Sequence, residues 1–266
     1  MRRALVLVTV VSLAALLTSP PAGAIVYGQF DGNQHPYVGT FVVEVEGEKE
    51  HVCSGTLIAP TVFLTASHCT IFPETVLGTN RVWVSFDPVF DAETSTLLPG
   101  TTHTHPEFGF SGPGGFADPH DIAVVVLDDP VGLTPAKLPR AGLLNQLQAS
   151  HQLRNRTFTA VGYGRVRETK TQAFQSILPN DERRFALQHM RALRPAWLQL
   201  TMNQATGDGG TCSGDSGGPH FLGGVSSNRI VSITVTGDVW CKATDTTYRL
   251  DTTSAREFLD DFVTLT

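Results

Sequence analysis

A chain of 266 residues can bury one large core or two modest ones, and 41% hydrophobic with 17% charged residues, 25 Gly and 16 Pro excludes a disordered or membrane-embedded protein in favour of a folded, turn-rich one. A formal net charge of −6 argues against nucleic acid or an anionic membrane surface as a partner.

The amino terminus differs from the rest. Arg2 and Arg3 precede an uncharged apolar run from Ala4 to Leu17, followed by Ser19-Pro20-Pro21-Ala22-Gly23-Ala24. That is the three-part layout of a secretory signal, and the run is too short to cross a bilayer comfortably. Cleavage after Ala24 would leave a chain starting Ile25-Val26-Tyr27-Gly28. It would also remove two positive charges and no negative ones, taking −6 to −8. Residues 1–24 are therefore expected to be a signal peptide, and the protein secreted.

Beyond it, strand-length runs rich in β-branched residues recur between Gly, Pro, Asn and Asp: Thr40 to Val45, Val52 to Ile58, Val62 to Thr65, Arg81 to Phe86 and Ile122 to Leu127. Asp129 to Arg140 carries three prolines and little periodicity, as an interdomain crossing would. The texture then repeats in Thr157 to Val161, Trp197 to Thr201, Arg229 to Thr234 and Thr246 to Leu250. Asp181 to Arg194 fits a helical stripe or a strand, and is read as strand. At the end, Ser254 and Glu257 form a capping box, with Ala255, Phe258, Leu259 and Phe262 on one helical face expected to dock on the second half. The sequence thus predicts an all-β fold in two halves, 25–135 and 136–266.

Four cysteines, Cys53, Cys69, Cys212 and Cys241, would reach an oxidising compartment, where two disulfides in any of three pairings are expected. No close Cys-x-x-Cys or His-x-x-x-His pair suggests zinc. The alternating Glu44, Glu46, Glu48 and Glu50 read as a strand's solvated side rather than a calcium site. The basic cluster Arg183, Arg184, Arg191 and Arg194 likewise reads as solvated surface. No metal and no cofactor are expected.

The most informative stretch is Thr211-Cys212-Ser213-Gly214-Asp215-Ser216-Gly217-Gly218-Pro219, where glycines surround one serine. Glycine permits the sharp turn that presents a serine beside converging backbone N–H groups. A serine hydroxyl needs an adjacent base, and a neutral imidazole needs a carboxylate to fix its tautomer. Leu64-Thr65-Ala66-Ser67-His68-Cys69 and His120-Asp121-Ile122-Ala123-Val124 contain candidates for both. The nucleophile loop, its Gly-Asp-Ser-Gly-Gly-Pro motif and these two segments resemble the chymotrypsin/trypsin-like serine endopeptidases. Ser67 replaces the family's alanine and His120 its asparagine. The order His68, Asp121, Ser216 is that family's order, unlike subtilisins or α/β-hydrolases.

The resemblance implies two six-stranded antiparallel β-barrels with a C-terminal α-helix, the first barrel carrying His68 and Asp121 and the second Ser216. It implies an oxyanion hole from the N–H groups of Gly214 and Ser216, and Ser232 as a support of the triad aspartate. It pairs Cys53 with Cys69 and Cys212 with Cys241. The Ile25-Val26-Tyr27-Gly28 start resembles the family's mature terminus, whose α-amine pairs with the carboxylate at Asp215. The specificity pocket would have Gly210 at its floor and Thr234 and Thr246 on its walls, favouring small aliphatic residues before the scissile bond. Two disulfides common in animal members are missing, giving a bacterial-looking member.

The expected partners are protein or peptide substrates and a proteinaceous inhibitor, acting on a monomer. The alternative is a non-catalytic homologue serving as a binding module. His35, His51, His103, His105, His151 and His189 read as surface or hydrogen-bonded residues; His120 and His220 match no functional position of the family.

Overall fold

A computed structural model describes residues 25–110, 116–167 and 176–265. Residues 1–24, expected from sequence to be a signal peptide, lie outside the described residues.

The first barrel is closed by six antiparallel strands: β2 (Val38–Val45), β3 (Glu48–Ala59), β4 (Val62–Thr65), β5 (Arg81–Ser85), β6 (Leu98–Thr104) and β7 (Ala123–Leu127), paired in the order β2-β3-β4-β7-β6-β5 with β2 returning to β5. Inward residues such as Phe41, Leu57, Phe63, Leu64, Val82 and Val124 are fully buried. Each such side chain stabilises the fold by roughly 1.5–3 kcal/mol. Glu46 and Gly47, both at positive φ, make the tight turn joining β2 to β3. Glu44, Glu46, Glu48 and Glu50 are all exposed, as a solvated strand side requires.

The second barrel uses β8 (Thr157–Gly162), β11 (Arg184–Leu193), β12 (Trp197–Thr201), β13 (Pro219–Leu222), β14 (Ile230–Gly237) and β15 (Thr244–Arg249). Its order is β11-β12-β15-β14-β13-β8, and β8 pairs with β11 to close it. Leu144, Phe158, Leu198, Leu200 and Val231 fill its interior. The ambiguous Asp181 to Arg194 segment is mostly strand. A short hairpin, β9 (Val166–Arg167) and β10 (Ile177–Leu178), stands apart.

Two pieces cross between the halves. The amino-terminal strand β1 (Gln29–Phe30) pairs with β11, through Gln29↔Phe185 and Phe30↔Arg184. Beside it Arg183, read from sequence as solvated surface, is instead fully buried. Its guanidinium donates to Asp31 Oδ2 at 3.0 Å, to the Val38 and Phe86 carbonyls at 3.0 Å, to Tyr163 Oη at 3.1 Å and to Asn33 Oδ1 at 2.6 Å. A buried guanidinium needs this many acceptors, and only residues distant in sequence supply them. His35 is likewise buried, bonded to Asp31 Oδ1 at 2.5 Å and stacked on Phe221.

Two helices lie outside the expected pattern: α1 (Ser67–Thr75), which has Pro73 inside it, and α2 (Leu143–Ala149). The terminal helix α3 (Thr253–Asp260) is present, but its cap is Thr252, whose side chain accepts from the Ala255 amide at 3.3 Å. Ser254 faces Tyr248 instead. The helix also docks differently from expectation. Phe258 packs on His105 and Phe262 on His103, so its aromatic face covers the first barrel.

Candidate active site

The base is placed by a short chain of local causes. Extended Ala66 caps α1, putting His68 in the first turn, and Cys53 bonds Cys69, so the turn is tethered to β3. Asp121 follows His120, which adopts φ 54°; histidine, like the asparagine it replaces, visits this region more readily than most residues. Asp121 is fully buried. Its Oδ1 accepts the His68 amide at 2.9 Å, and its Oδ2 lies 2.8 Å from His68 Nδ1. A carboxylate only accepts, so Nδ1 carries the proton and neutral His68 keeps a bare Nε2. The side chain is 30% exposed, open to a reactant from one side.

The loop that carries Ser216 packs against β3 and the segment leading to His68. The Ser54 amide donates to the Ser216 carbonyl at 2.8 Å, and Ser54 Oγ donates to the Gly214 carbonyl at 3.0 Å. Gly217, at φ 77°, lies so close to the His68 segment that a Cβ would meet Thr65 Oγ1, Ser54 O at 2.6 Å and Ala66 N at 2.8 Å. Only glycine allows that approach. Among the described residues the Ser216 hydroxyl makes no hydrogen bond, as resting sites often leave a nucleophile to close on its base when substrate arrives.

Four of the loop's other amides have acceptors: Cys212 N donates to Asp215 Oδ2, Asp215 N to Cys212 O, Gly217 N to Thr234 O and Gly218 N to Asp215 O. Among the described residues the N–H groups of Gly214 and Ser216 have none, which leaves them available to a developing oxyanion.

A family model described as Trypsin matches residues 28–255. The chain belongs to the trypsin family. It is 28% identical over 238 residues to mouse kallikrein 1-related peptidase b26, covering 83% of this chain and 84% of that protein. It is 27% identical to mouse epidermal growth factor-binding protein type B at the same coverage. A solved structure of HL collagenase superposes with a TM-score of 0.61 at 17% identity, covering 87% of this chain and 95% of that one, which shows the shared fold. These mouse relatives lend no support to a bacterial look.

In this trypsin-family chain, Asp215 is fully buried and its Oδ1 and Oδ2 accept the Gly164 and Cys212 amides at 2.8 and 2.9 Å. Burial still pushes its carboxyl up to about 7, with Asp245 adding to the shift. Ile25 and Val26 are also fully buried, and the Gly210 amide donates to Val26 O at 2.9 Å. In the uncleaved chain the nitrogen of Ile25 is an amide and carries no charge.

Beside Ser216 lies a cavity of about 450 Å³. One wall is Thr211, Cys212 and Ser213, the other runs from Thr234 to Val239, and the Cys212–Cys241 disulfide ties them together. Thr234 lines it as expected; Gly210 and Thr246 are not among its lining residues. A Cβ on Gly210 would meet the Met202 side chain and, at 2.6 Å, Gln188 Nε2. Ser232 is not brought to Asp121: its hydroxyl accepts from Thr247 Oγ1 at 2.8 Å. The reason is register. Thr234, two positions on, pairs with the nucleophile loop, and β14 bulges between Thr234 and Thr236. The residues that sequence reasoning missed are Ser54, which holds the loop, and Ser67, which holds the turn bearing Asp121.

Proposed function

We propose that this protein is a secreted serine endopeptidase that cleaves protein or peptide substrates through an acyl-enzyme. The observation that carries the reading is the two-point bond between Asp121 and His68, which leaves Nε2 bare. Ser216 Oγ attacks the scissile carbonyl as its proton passes to His68 Nε2. The Gly214 and Ser216 amides stabilise the oxyanion, each such donor being worth about 2.7–4 kcal/mol. His68 then returns the proton to the leaving amine, and water repeats the sequence on the ester.

Export supports the same reading. Removal of residues 1–24 would free the Ile25 amine to offset the buried charge of Asp215, so signal cleavage would itself mature the enzyme. Two disulfides suit an oxidising compartment, and no helix among the described residues is long and apolar enough to cross a membrane. The active unit is a monomer, open to a proteinaceous inhibitor in its crevice. A small aliphatic preference before the scissile bond would follow if Gly210 closed the pocket without a charge.

The test is covalent labelling of the secreted protein by an organophosphonate, with peptide-library cleavage run in parallel. Labelling and cleavage that both disappear in Ser216→Ala are expected. Absence of both in the unmutated protein would return the chain to a binding role.

A further inference from the structure

Asp121 sits on a turn of the first barrel and Ser216 on a loop of the second, so their alignment depends on bonds across the crevice. Ser232, expected to support Asp121 from the second barrel, is not brought to it. Tyr248 reaches its turn instead. The residue is fully buried on β15, and its hydroxyl donates to Asp118 Oδ1 at 2.7 Å. The same oxygen accepts the amide of His120, which directly precedes Asp121, at 3.3 Å. His120 stands at φ 54°, a conformation that a side-chain-bearing residue keeps only where its surroundings hold it. Asp118 holds its amide, and Ser67 Oγ donates to its carbonyl at 3.3 Å.

On its other side Tyr248 is built into the frame of the nucleophile. It pairs with Ile233 of β14, and the next residue, Thr234, is bonded to the Ser216 loop in both directions: Gly217 N donates to Thr234 O at 2.8 Å and Thr234 N to Gly218 O at 2.9 Å. Across β12 it pairs with Trp197, whose ring meets its own edge-on at 6.0 Å and whose Nε1 donates to the Phe116 carbonyl at 2.7 Å. Two neighbouring side chains of the second barrel thus hold the segment before Asp121 at residues 116 and 118. A bonded path runs from the Ser216 loop through Thr234 and Tyr248 to Asp118, His120 and Asp121, and ends at His68 Nδ1.

A phenylalanine would fill the same space, so packing does not account for the hydroxyl. Among the described residues its partners are Asp118 and, at 3.4 Å, Ser254. Burial, with the bond to Asp118 and the charges of Asp118 and Asp121, holds the phenol above its ordinary range, so it keeps its proton and stays the donor.

We propose that Tyr248 is a positioning residue for the hydrolytic reaction: through Asp118 it fixes the turn of Asp121 against the barrel that carries Ser216. Trp197, bonded to the Phe116 carbonyl, acts beside it. Loss of the hydroxyl releases Asp118 from the second barrel and lets Asp121 and His68 shift relative to Ser216. The cost falls on kcat rather than KM, because proton transfer between Ser216 and His68 is sensitive to small misplacements while Tyr248 is buried and away from bound substrate. This inference rests on the reading of His68, Asp121 and Ser216 as a catalytic triad.

The test measures kcat and KM on one cleaved peptide for Tyr248→Phe, Asp118→Ala, Asp118→Asn and the Tyr248→Phe, Asp118→Ala double variant, with active sites counted by organophosphonate. Tyr248→Phe should lower kcat by about tenfold and leave KM within about twofold. Asp118→Ala should lower kcat at least as far, and Asp118→Asn, whose amide oxygen still accepts from Tyr248, should recover most of that loss. The double variant should match Asp118→Ala alone, because the two side chains act through one bond. An unchanged kcat in Tyr248→Phe, or losses that multiply in the double variant, overturns this inference and spares the endopeptidase reading. If Tyr248→Phe fails to fold, the Asp118 variants decide, and equal losses in Ala and Asn count against the bond.

A second measurement needs no turnover. In Ser216→Ala the proton NMR signal of His68 Nδ1–H, bonded to Asp121, should weaken through faster exchange when Tyr248→Phe is added, and an unaltered signal overturns the inference. If the unmutated protein neither labels nor cleaves, the endopeptidase reading falls and this signal alone decides.

Discussion

The Ser67 hydroxyl donates to the Ile122 carbonyl at 2.6 Å, so the helix that carries His68 and the turn that carries Asp121 are bonded directly beside both residues. The same oxygen accepts the His105 amide at 3.2 Å. Ser67→Ala deletes both bonds and leaves a buried carbonyl and amide to find other partners. A loss of about 1–2 kcal/mol is expected by urea unfolding, with kcat falling severalfold and KM unchanged. An unaltered kcat would mean that His68 and Asp121 hold each other without help.

Gly217 tests the closeness of the two halves. A methyl there meets Thr65, Ser54 and Ala66, and the residue also sits at φ 77°. Gly217→Ala should push Ser216 away from His68 and lower kcat/KM by about a hundredfold or more, since small misplacements are amplified at a reacting centre. Near-normal turnover in a purified, folded variant would contradict the packing.

Acidity should distinguish the uncleaved from the cleaved chain. An unfolded aspartate titrates near 3.8, whereas buried Asp215 is raised to about 7. Between those values the folded, uncleaved chain holds a proton that the unfolded chain has released. The contribution of Asp215 to stability is therefore full below about pH 4 and is lost as pH rises towards about 7, by on the order of 4 kcal/mol. A free Ile25 amine would offset that loss. Urea titrations of Ser216→Ala, with and without an extension ahead of Ile25, should diverge across this range. Parallel curves would argue against the ion pair.

Removing the cation from the buried Arg183 group should be more damaging than any surface change. Arg183→Ala removes the only arginine paired with buried Asp31 among the described residues, leaves His35 as its one ionisable partner and orphans the other acceptors of the guanidinium, and a loss of about 3–5 kcal/mol is expected in thermal or denaturant unfolding. Arg183→Lys should recover only part of it, because a lysine cannot span the five acceptors that the guanidinium fork reaches. Full recovery would reduce the role of Arg183 to its charge.

Much of the site was legible because its parts are local. His68, Asp121 and Ser216 each sit in a short segment whose glycines, cysteine or following apolar run declare the geometry, and Val62–Thr65 and Trp197–Thr201 end where their sequences do. What escaped depends on partners far along the chain. β6 holds Pro99 and Gly100 directly after its first residue, Leu98, which masked a strand defined by its pairing with β5 and β7. Arg183 looks like any surface arginine until Asp31 and Asn33 are brought to it. Ser232 was misplaced because a bulge, invisible to side-chain pattern, shifts which residue of β14 faces the nucleophile loop.

The chain's two ends are exchanged between its halves, β1 stitched to the second barrel and the aromatic face of α3 laid on the first. A polypeptide emerging from the ribosome therefore gains cover for His103 and His105 only once α3 and Phe262 have been made. A product truncated before α3 would keep the β1 stitch to the second barrel and lose that cover. Such a clasp ties the front of the chain to the order in which it is synthesised.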